Sequence, residues 1–357
     1  MSIPVDLDDL AATLAGFGTA YLLTSRDGRV KAVHAVVEVA GDELLVRRPG
    51  GGSLRNVGTV PATTLVWPPR ADPGFSLIVD GTGAADGDDV RVSPTGAVLH
   101  RPVAEDDERA ARPFWVTAFV DVAEEHWDRV PAFWAAVAGQ RLGPSRGEAG
   151  EFASLEPLRG HPHLKVQRVP STSRVHLDLH VPDPHRAAAR AEQLGARVEH
   201  RSEHGFVVMR SPGGLTFCFV AHPACLRAPA ATWPDGSVSA VDQVCIDAPA
   251  RLHAAEAGFW AALTGWAPQA SSVGSAFSSL RRPEGQAVRL LLQQVEDDRS
   301  EVSAHLDVAC SDRRAEAARH EALGAVLVAE HDRWTVLRAP DGAAYCLTDR
   351  DPVSGVL

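Results

Sequence analysis

The 357-residue sequence predicts an α+β fold in which a small antiparallel β-barrel is followed by two copies of one βαβββ module. Two observations support this fold class. Segments in the last two-thirds of the chain recur in the same order at a nearly constant spacing, which is the signature of a repeated structural unit. Residues 1–103 do not match the repeat, and they contain one amphipathic helix followed by short apolar runs between turn residues. That pattern is typical of a small barrel.

The repeat rests on five pairs of segments. Each pair keeps its residue types and its place in the order, so chance is a poor explanation of the match. The pairs are Phe119–Asp121 with Cys245–Asp247, Ala132–Val137 with Gly258–Leu263, His176–Leu179 with His305–Val308, Leu194–Ala196 with Leu323–Ala325, and Val208–Gly214 with Val336–Gly342.

Each copy is predicted to contain the same elements. An opening strand leads to a helix that carries a Phe-Trp pair, and a strand of alternating polarity precedes a second helix. We expect the second helix to start near Asp183 or Ser311, because these residue types cap helices. Two further strands close each copy. The opening strands are Trp115–Val122 and Val241–Asp247, and the alternating strands are Arg174–Val181 and Ser303–Ala309. A further strand lies between them in each copy, at Leu164–Val169 or Ala287–Val295.

The N-terminal region is predicted to start with a helix over Asp6–Phe17, in which Leu7, Leu10 and Leu14 form one apolar stripe. Short strands follow, with turns at 27–28 and 41–42. The predicted strands are Ala20–Thr24, Val30–Val39, Glu43–Arg47, Thr63–Trp67 and Ser76–Asp80.

These patterns divide the chain into five segments. They are a barrel over 1–103, a charged linker over 104–113, a first module over 114–222, a second linker over 223–235 and a second module over 236–350.

Composition excludes several classes of protein. The formal net charge of -11 argues against nucleic acid or an anionic membrane surface as the main partner. Five cysteines without a CxxC pair argue against a disulfide framework or a structural zinc site. Neither an apolar signal core nor a run long enough to span a bilayer is evident. We therefore expect a cytoplasmic protein.

The repeated motifs resemble those of the glyoxalase-like subgroup of the vicinal oxygen chelate family. The resemblance covers residues 114–348 and rests on the Phe-Trp helix, the His-Leu-Asp strand, the Leu-Gly-Ala turn and the final Phe-Cys or Tyr-Cys pair. It implies that the two modules form one glyoxalase-like domain, an open U-shaped sheet around a site for a small organic molecule or a metal.

The resemblance also implies a substrate cleft at three equivalent positions in each module. The residues at these positions are Thr117, His176 and Cys218 in the first module and Gln243, His305 and Cys346 in the second. The family usually has a glutamate where Cys218 and Cys346 stand, and hard divalent ions prefer carboxylate oxygen. We therefore expect no metal, and chemistry of the metal-dependent lyase or dioxygenase type is disfavoured. A softer ion such as zinc at His305, Cys346 and Gln243 is the alternative.

The N-terminal region resembles the pyridoxamine-5′-phosphate-oxidase-like split barrels. The resemblance rests on Tyr21–Gly28, Leu44–Arg48 and Gly52–Asn56. It implies a homodimer that binds FMN or a deazaflavin, with the flavin phosphate next to Ser53 and Arg55. Arginines and glycine-rich backbone suit a phosphate. The expected cofactor-binding residues are Arg47, Arg48, Ser53, Arg55 and Asn56.

Two functions remain open from the sequence. The first is a flavin- or deazaflavin-binding oxidoreductase-like protein that acts on or binds a small organic molecule. The second is a non-catalytic protein that binds a small molecule for sequestration or resistance. Asp178 and Asp307 follow His176 and His305 by two residues, on the same strand face, and could orient them or only satisfy them.

Overall fold

The computed structural model describes residues 2–70, 75–101, 110–271, 273–296 and 299–356. It divides into one compact unit over Met1–Ala104 and a second over Glu105–Leu357. Most of the predicted linker, positions 104–109, lies outside the described residues. Within the described ranges, the structure contains no helix with the length and hydrophobicity needed to cross a membrane.

In its described residues, the N-terminal unit contains seven antiparallel strands, two α-helices and a 3-10 turn over Leu7–Asp9. Its strands are β1 (Ser2–Val5), β2 (Ala20–Arg26), β3 (Arg29–Ala40), β4 (Glu43–Arg47), β5 (Ala62–Trp67), β6 (Ser76–Asp86) and β7 (Asp89–His100), and its helices are α1 (Leu10–Leu14) and α2 (Gly51–Thr59). The strand order is β1-β7-β4-β3-β2-β5-β6, and β6 also pairs with β7. This last pairing closes the sheet on itself. The relation to the split-barrel family stays a prediction.

Alternating side chains explain why these strands enclose a core. Leu22, Val46, Leu65 and Val79 are fully buried, while their strand neighbours are more exposed. The two-residue turn at Asp27 and Gly28 has positive φ at both positions, as hairpins of this length require.

The glycine-rich loop expected before Pro61 is instead helical. Helix α2 follows Gly50, whose φ of 87° is a value that glycine adopts readily. The helix buries Ser53 and Val57. Sequence reasoning missed the helix because glycines normally interrupt helices. Burial of Val57 against the barrel outweighs that local preference.

The C-terminal unit contains two sheets of matching topology. The first module contains β8 (Trp115–Ala123), α3 (Val130–Ala138), β9 (Arg141–Leu142), β10 (Phe152–Glu156), β11 (Leu164–Val169), β12 (Arg174–His180), α4 (Pro184–Gln193), β13 (Arg197–Arg201), β14 (Val207–Arg210) and β15 (Thr216–Val220). A short strand, β16 (Ala231–Thr232), follows it. The second module contains β17 (Val238–Pro249), α5 (Ala250–Thr264), β18 (Pro268–Ala270), β19 (Phe277–Leu280), β20 (Arg289–Val295), β21 (Ser303–Cys310), α6 (Arg313–Ala322), β22 (Val326–Glu330), β23 (Trp334–Arg338) and β24 (Ala344–Thr348).

The prediction of one βαβββ motif per module was incomplete, because each module contains two. The first module reads β8-α3-β9-β10-β11 and then β12-α4-β13-β14-β15, and the second repeats this order. Strands β9, β10, β18 and β19 were missed because they are short and lack alternating polarity. The opening strands β8 and β17 lie at the centre of their sheets. Each pairs antiparallel with the strand before the second helix, β12 or β21, and parallel with β11 or β20.

The two modules share one hydrophobic core. The Phe-Trp pair of each module packs against the last strand of the other module. The Trp134 ring lies 5.2 Å from Tyr345, and the Trp260 ring lies 5.2 Å from Phe217. These reciprocal contacts hold the two sheets together and place β12 and β21, the strands that contain His176 and His305, next to each other.

Candidate functional site

Strand register brings the repeated polar residues onto one face of each sheet. In the second module, Gln243 pairs with Asp307, and Cys245 pairs with His305. Asp307 also pairs with Cys346 on the neighbouring strand. Directly paired residues point to the same face of a sheet, so these side chains meet.

We call four polar residues of each module the quartet, namely the histidine, its two neighbouring aspartates and the cysteine. The quartet of the second module is Asp247, His305, Asp307 and Cys346, and the equivalent quartet of the first module is Asp121, His176, Asp178 and Cys218.

In the second module His305 lies between two carboxylates. Its Nδ1 is 2.7 Å from Asp247 Oδ2, and its Nε2 is 3.3 Å from Asp307 Oδ1. The Sγ atom of Cys346 lies 3.6 Å from the same Nε2. The ligand atoms of His305, Asp307 and Cys346 all lie within 4.8 Å of one another, as do those of Cys245, Asp247 and His305. Either group could hold a metal ion.

Electrostatics in this cluster favour positive charge. Burial disfavours the imidazolium of His305, but the acidic neighbours, Asp247 among them, raise its pKa well above the usual value. Burial raises the pKa of the Cys346 thiol. Gln243 donates a hydrogen bond to Asp307, while Gln243 Oε1 and Asp307 Oδ1 have no hydrogen-bond partner of good geometry. The site therefore offers buried oxygen atoms that a cation would satisfy.

The first module has the same quartet with different neighbours. His176 Nδ1 lies 2.8 Å from Asp121 Oδ1, and His176 Nε2 lies 3.7 Å from Asp178 Oδ1. Arg174 donates to Asp121 at 2.7 Å. The ring of Phe119 stacks on His176 with 4.7 Å between the ring centroids. The imidazole is therefore covered on one face and paired at both nitrogens.

A lysine supplies positive charge to this first quartet. Lys165 Nζ lies 5.4 Å from the centre of the Phe119 ring. Burial opposes ionisation of Asp178, but His176 and then Lys165 hold its pKa below the usual value. Lys165 pairs with Phe119, whereas the equivalent residue Leu291 pairs with Cys245 in the second module. The second quartet therefore has no lysine at this position.

Thr117 takes part in a separate chain of hydrogen bonds. Its hydroxyl lies 2.9 Å from His180 Nε2, and His180 Nδ1 lies 2.7 Å from the carbonyl oxygen of His222. Burial lowers the pKa of His180 to about 3, so this imidazole stays neutral.

A pocket of about 400 Å³ opens beside the second quartet. It is lined by His305 and Asp247 from the second module and by Arg174 and Thr216 from the first. The pocket therefore reaches residues next to both quartets.

The expected cofactor residues of the N-terminal unit do not form one phosphate site. Arg47 binds Glu38 at 2.6 Å and Asp89 at 2.8 Å. Ser53 is buried, and its hydroxyl donates to the carbonyl oxygen of Pro49. These two members of the set are therefore engaged inside the unit.

Of the remaining three members, two share a pocket. Arg55 and Asn56 line it together with Lys31, and Asn56 also donates to Thr24. Arg48 does not line this pocket, and its backbone N–H donates to Asp89.

The cofactor expectation was wrong on both counts. FMN or a deazaflavin is not supported, and the groups suited to a cofactor are the metal-type clusters at His176, Asp178 and Cys218 and at His305, Asp307 and Cys346. The expectation of no metal failed because it looked for the carboxylate at Cys218 and Cys346. The structure supplies Asp178 and Asp307 from the adjacent strand instead.

Sequence reasoning also missed Asp121 and Asp247 as site residues. Both closed a repeated segment, and the alternation of a strand places Asp247 on the same face as Gln243. That signal was available from the sequence.

Comparisons with known proteins identify the family. A family model described as Glyoxalase-like domain matches residues 117–220 and 243–348, together more than half of the chain. The uncharacterized protein Mb0449c of Mycobacterium bovis is 37% identical over 130 residues, which is 30% of this chain and 88% of that protein.

Solved structures match less closely. The 2,3-dioxygenase LapB from Pseudomonas sp. KL28 has 12% identity and a TM-score of 0.46, over 66% of this chain and 91% of that chain. A xylose isomerase-like TIM barrel/4-hydroxyphenylpyruvate dioxygenase fusion protein has 14% identity and a TM-score of 0.46. That match covers 68% of this chain, which spans only 50% of the fusion protein. On the evidence of the repeated match to the family model, the chain belongs to the glyoxalase-like domain family.

Proposed function

We propose that this protein binds a small organic molecule at the second module, with the help of a divalent ion of the zinc class held by His305, Asp307 and Cys346. The observation that carries the proposal is the convergence of an imidazole nitrogen, a carboxylate oxygen and a sulfur atom within 4.8 Å. These are the donor atoms that zinc uses in proteins. Three protein ligands leave a further position for a bound molecule.

Unsatisfied buried oxygen supports the choice of ligands. Asp307 is 3% exposed, and its Oδ1 has no hydrogen bond of good geometry. Its contact with His305 Nε2 is long, at 3.3 Å. A buried acceptor that lacks a good partner costs up to about 1–3 kcal/mol. A cation at this point would lower that cost, and Gln243 already holds the other carboxylate oxygen.

Asp247 supports the site from behind. It pairs with Nδ1 of His305 and so directs Nε2 towards Asp307 and Cys346. Carboxylates that hold the second nitrogen of a metal-binding histidine fix the tautomer and the ring orientation.

At the position of Lys165, and in accessibility, the second module suits a cation better than the first, although Arg289 and Arg350 act electrostatically on Asp307. Lys165 stands beside the first quartet, and its ammonium group would repel a metal ion there. Leu291 carries no charge at the equivalent position. The second quartet is also more accessible, since His305 and Cys346 are only partly buried.

The adjoining pocket is of a size for a small ligand. Its volume of about 400 Å³ lies within the usual range of ligand sites, which is roughly 300–1,000 Å³. Arg174 of the first module and His305 of the second both line it, and Arg174 can donate to an oxygen atom of the ligand. A bound divalent ion would polarise a coordinated oxygen of the ligand.

One observation favours binding without catalysis. In the proposed site both nitrogens of His305 are engaged, Nδ1 with Asp247 at 2.7 Å and Nε2 with the ion, so neither is free to exchange a proton with a ligand. A protein that sequesters its ligand is therefore the second candidate, and it shares the same pocket and ion.

Metal titration tests the proposal. Protein stripped with a chelator is titrated with Zn²⁺ by calorimetry, and we expect one equivalent to bind tightly. Cys346→Ser should weaken binding by at least the roughly ten- to hundredfold known for supporting residues of metal sites. Cys218→Ser, the matched change in the first module, should leave the affinity within about twofold. Less than stoichiometric binding, or equal losses in the two variants, would overturn the proposal.

A further inference from the structure

A second polar site lies in the second module around Asp242, a bulge residue that is 1% exposed. Arg350 binds its two carboxylate oxygens at 2.7 and 3.1 Å. Arg282 and Arg227 reach it at 3.4 and 3.9 Å. Arg289 lines the same pocket, which has a volume of about 540 Å³. We call this the arginine pocket.

Positive charge exceeds negative charge in the arginine pocket. Among the described residues that line it or interact with those that do, five arginines face four carboxylates, which leaves one positive charge uncompensated. The arginines are Arg227, Arg281, Arg282, Arg289 and Arg350, and the carboxylates are Asp242, Glu284, Asp307 and Asp351.

Burial makes this excess costly. Burial and the neighbouring Arg227 lower the pKa of Arg282 to about 10, and burial with Arg350 lowers the pKa of Arg289. Desolvated guanidinium groups beside one another are stabilised by an anion.

A segment of backbone, positions 352–355, occupies the guanidinium groups with neutral oxygen. Arg227 donates to the carbonyl oxygens of Pro352 and Val353 at 3.1 and 3.0 Å. Arg282 and Arg289 donate to the next two carbonyls, at 3.4 and 3.0 Å. Four successive carbonyls thus satisfy hydrogen bonds without neutralising any charge. We call positions 352–355 the strap.

We propose that the arginine pocket binds an oxyanion, the carboxylate or phosphate group of a small molecule, which replaces strap carbonyls on Arg227, Arg282 and Arg289. An oxyanion makes the same hydrogen bonds as the carbonyls and also compensates the charge. Arginine is suited to this exchange because its planar guanidinium group matches both carboxylate and phosphate.

Gly355 makes the strap easy to loosen selectively. Its φ is 74°, and a Cβ atom there would lie 2.8 Å from Arg282 Nη2. Gly355→Ala should therefore separate the strap from Arg282, whether the strap or the end of the arginine side chain moves. Gly342 has a similar φ of 84°, but a Cβ atom there would meet nothing within 4 Å. Gly342→Ala is the matched control for backbone strain alone.

The test measures binding of inorganic phosphate and of malonate to metal-free protein, at constant ionic strength, by calorimetry. Metal-free protein keeps the result independent of the proposed zinc site. We expect at least one of the two anions to bind at roughly millimolar concentration or below. Arg227→Gln should weaken binding by roughly ten- to hundredfold, because it removes charge-assisted hydrogen bonds. Arg197→Gln, an exposed arginine of the first module, should not change it.

Two further readouts address the strap. Gly355→Ala should bind the anion more tightly than the wild type and than Gly342→Ala. The backbone N–H of Gly355 donates to the carbonyl oxygen of Asp351 at 2.7 Å, and its amide exchange should become faster when the anion binds. Absence of binding by both anions overturns the proposal. Weaker binding by Gly355→Ala, or slower exchange at Gly355, overturns displacement of the strap. Circular dichroism of each variant verifies that it is folded.

Discussion

At the scale of single residues, the two quartets differ through their neighbours. Both have a histidine between two aspartates with a cysteine on the adjacent strand. Phe119 and Lys165 accompany the first, whereas Cys245 and Leu291 accompany the second. The first copy therefore has a lysine at this position, and the second presents an additional sulfur atom there, while its Asp307 interacts electrostatically with Arg289 and Arg350. The two copies therefore share the geometry of the quartet but differ in the residues around it.

Removing the lysine should make the first quartet a metal site. Lys165→Leu copies the second module at this position, and we expect the zinc stoichiometry to rise from one towards two equivalents. The reason is loss of a nearby positive charge in a buried site, where charges interact strongly. Elemental analysis after dialysis measures the stoichiometry. Lys31→Leu changes the other lysine of the chain and should leave one equivalent. An unchanged stoichiometry in Lys165→Leu would show that the lysine is not what prevents zinc binding at the first quartet.

Asp247 should act by positioning His305. Asp247→Asn keeps the shape but removes the charge that holds Nδ1 of His305, so zinc affinity should fall roughly ten- to hundredfold. Asp121→Asn is the matched change in the first module and should leave zinc affinity unaltered. Competition with a chelating dye measures both affinities. If the two variants behave alike, Asp247 has no special role in the site.

At the scale of elements, helix α6 joins the second module through a buried polar network. Glu316 is 1% exposed and pairs with Arg319 at 2.6 Å and with His320 at 3.1 Å. His320 also contacts the Tyr345 hydroxyl at 2.9 Å. Burial would raise the pKa of Glu316, but its hydrogen bonds to His320 and Arg319 prevail and lower it to about 2.

This network should make stability depend on pH. A carboxyl whose pKa is lower in the folded state contributes stability above its unfolded pKa, about 4.5, and loses it as pH falls towards about 2. The contribution is about 3 kcal/mol at neutral pH. Glu316→Gln should therefore lower the free energy of unfolding most above pH 4.5, with a shrinking difference below it. Urea unfolding at several pH values measures this.

A control on the same helix separates the network from general charge. Glu321→Gln removes an exposed carboxylate and should change the free energy of unfolding by less than about 0.5 kcal/mol at every pH. A difference between wild type and Glu316→Gln that stays constant with pH would contradict the assignment.

Elements were predictable from sequence where one period dominates. The strand over Arg174–His180 alternates strictly, and its prediction was confirmed as β12. Helix α2 was missed because it contains glycines, and strand β9 was missed because it is short. Both depend on tertiary contacts that a sequence pattern does not reveal. For the site, the sequence identified His305 and Cys346 as neighbours. It also placed Asp307 on the strand face of His305, but it could not show that Asp307 meets Cys346, since that needs the register of β21 against β24.

At the scale of the whole molecule, the C-terminal modules depend on each other. Arg319 donates to the carbonyl oxygens of Ala136 and Val137 in the first module, and Arg190 donates to Ala262 in the second. These bonds are reciprocal, as are the contacts of the Phe-Trp pairs. The second metal-type cluster therefore rests on a core to which both modules contribute.

The N-terminal unit should make the protein a homodimer. Strand β3 has an outward face on which Val30 is 71% and Val36 is 53% exposed, and Tyr21 adjoins this face through its pairing with His34. Apolar stripes of this kind mark interfaces because they are costly to leave in water. Val36→Glu should convert the dimer to a monomer in sedimentation equilibrium, since pairing would bury two charges. Val326→Glu, which alters a similarly exposed valine of the second module, should remain dimeric. A monomeric wild type at micromolar concentration, or a dimeric Val36→Glu, would exclude this interface.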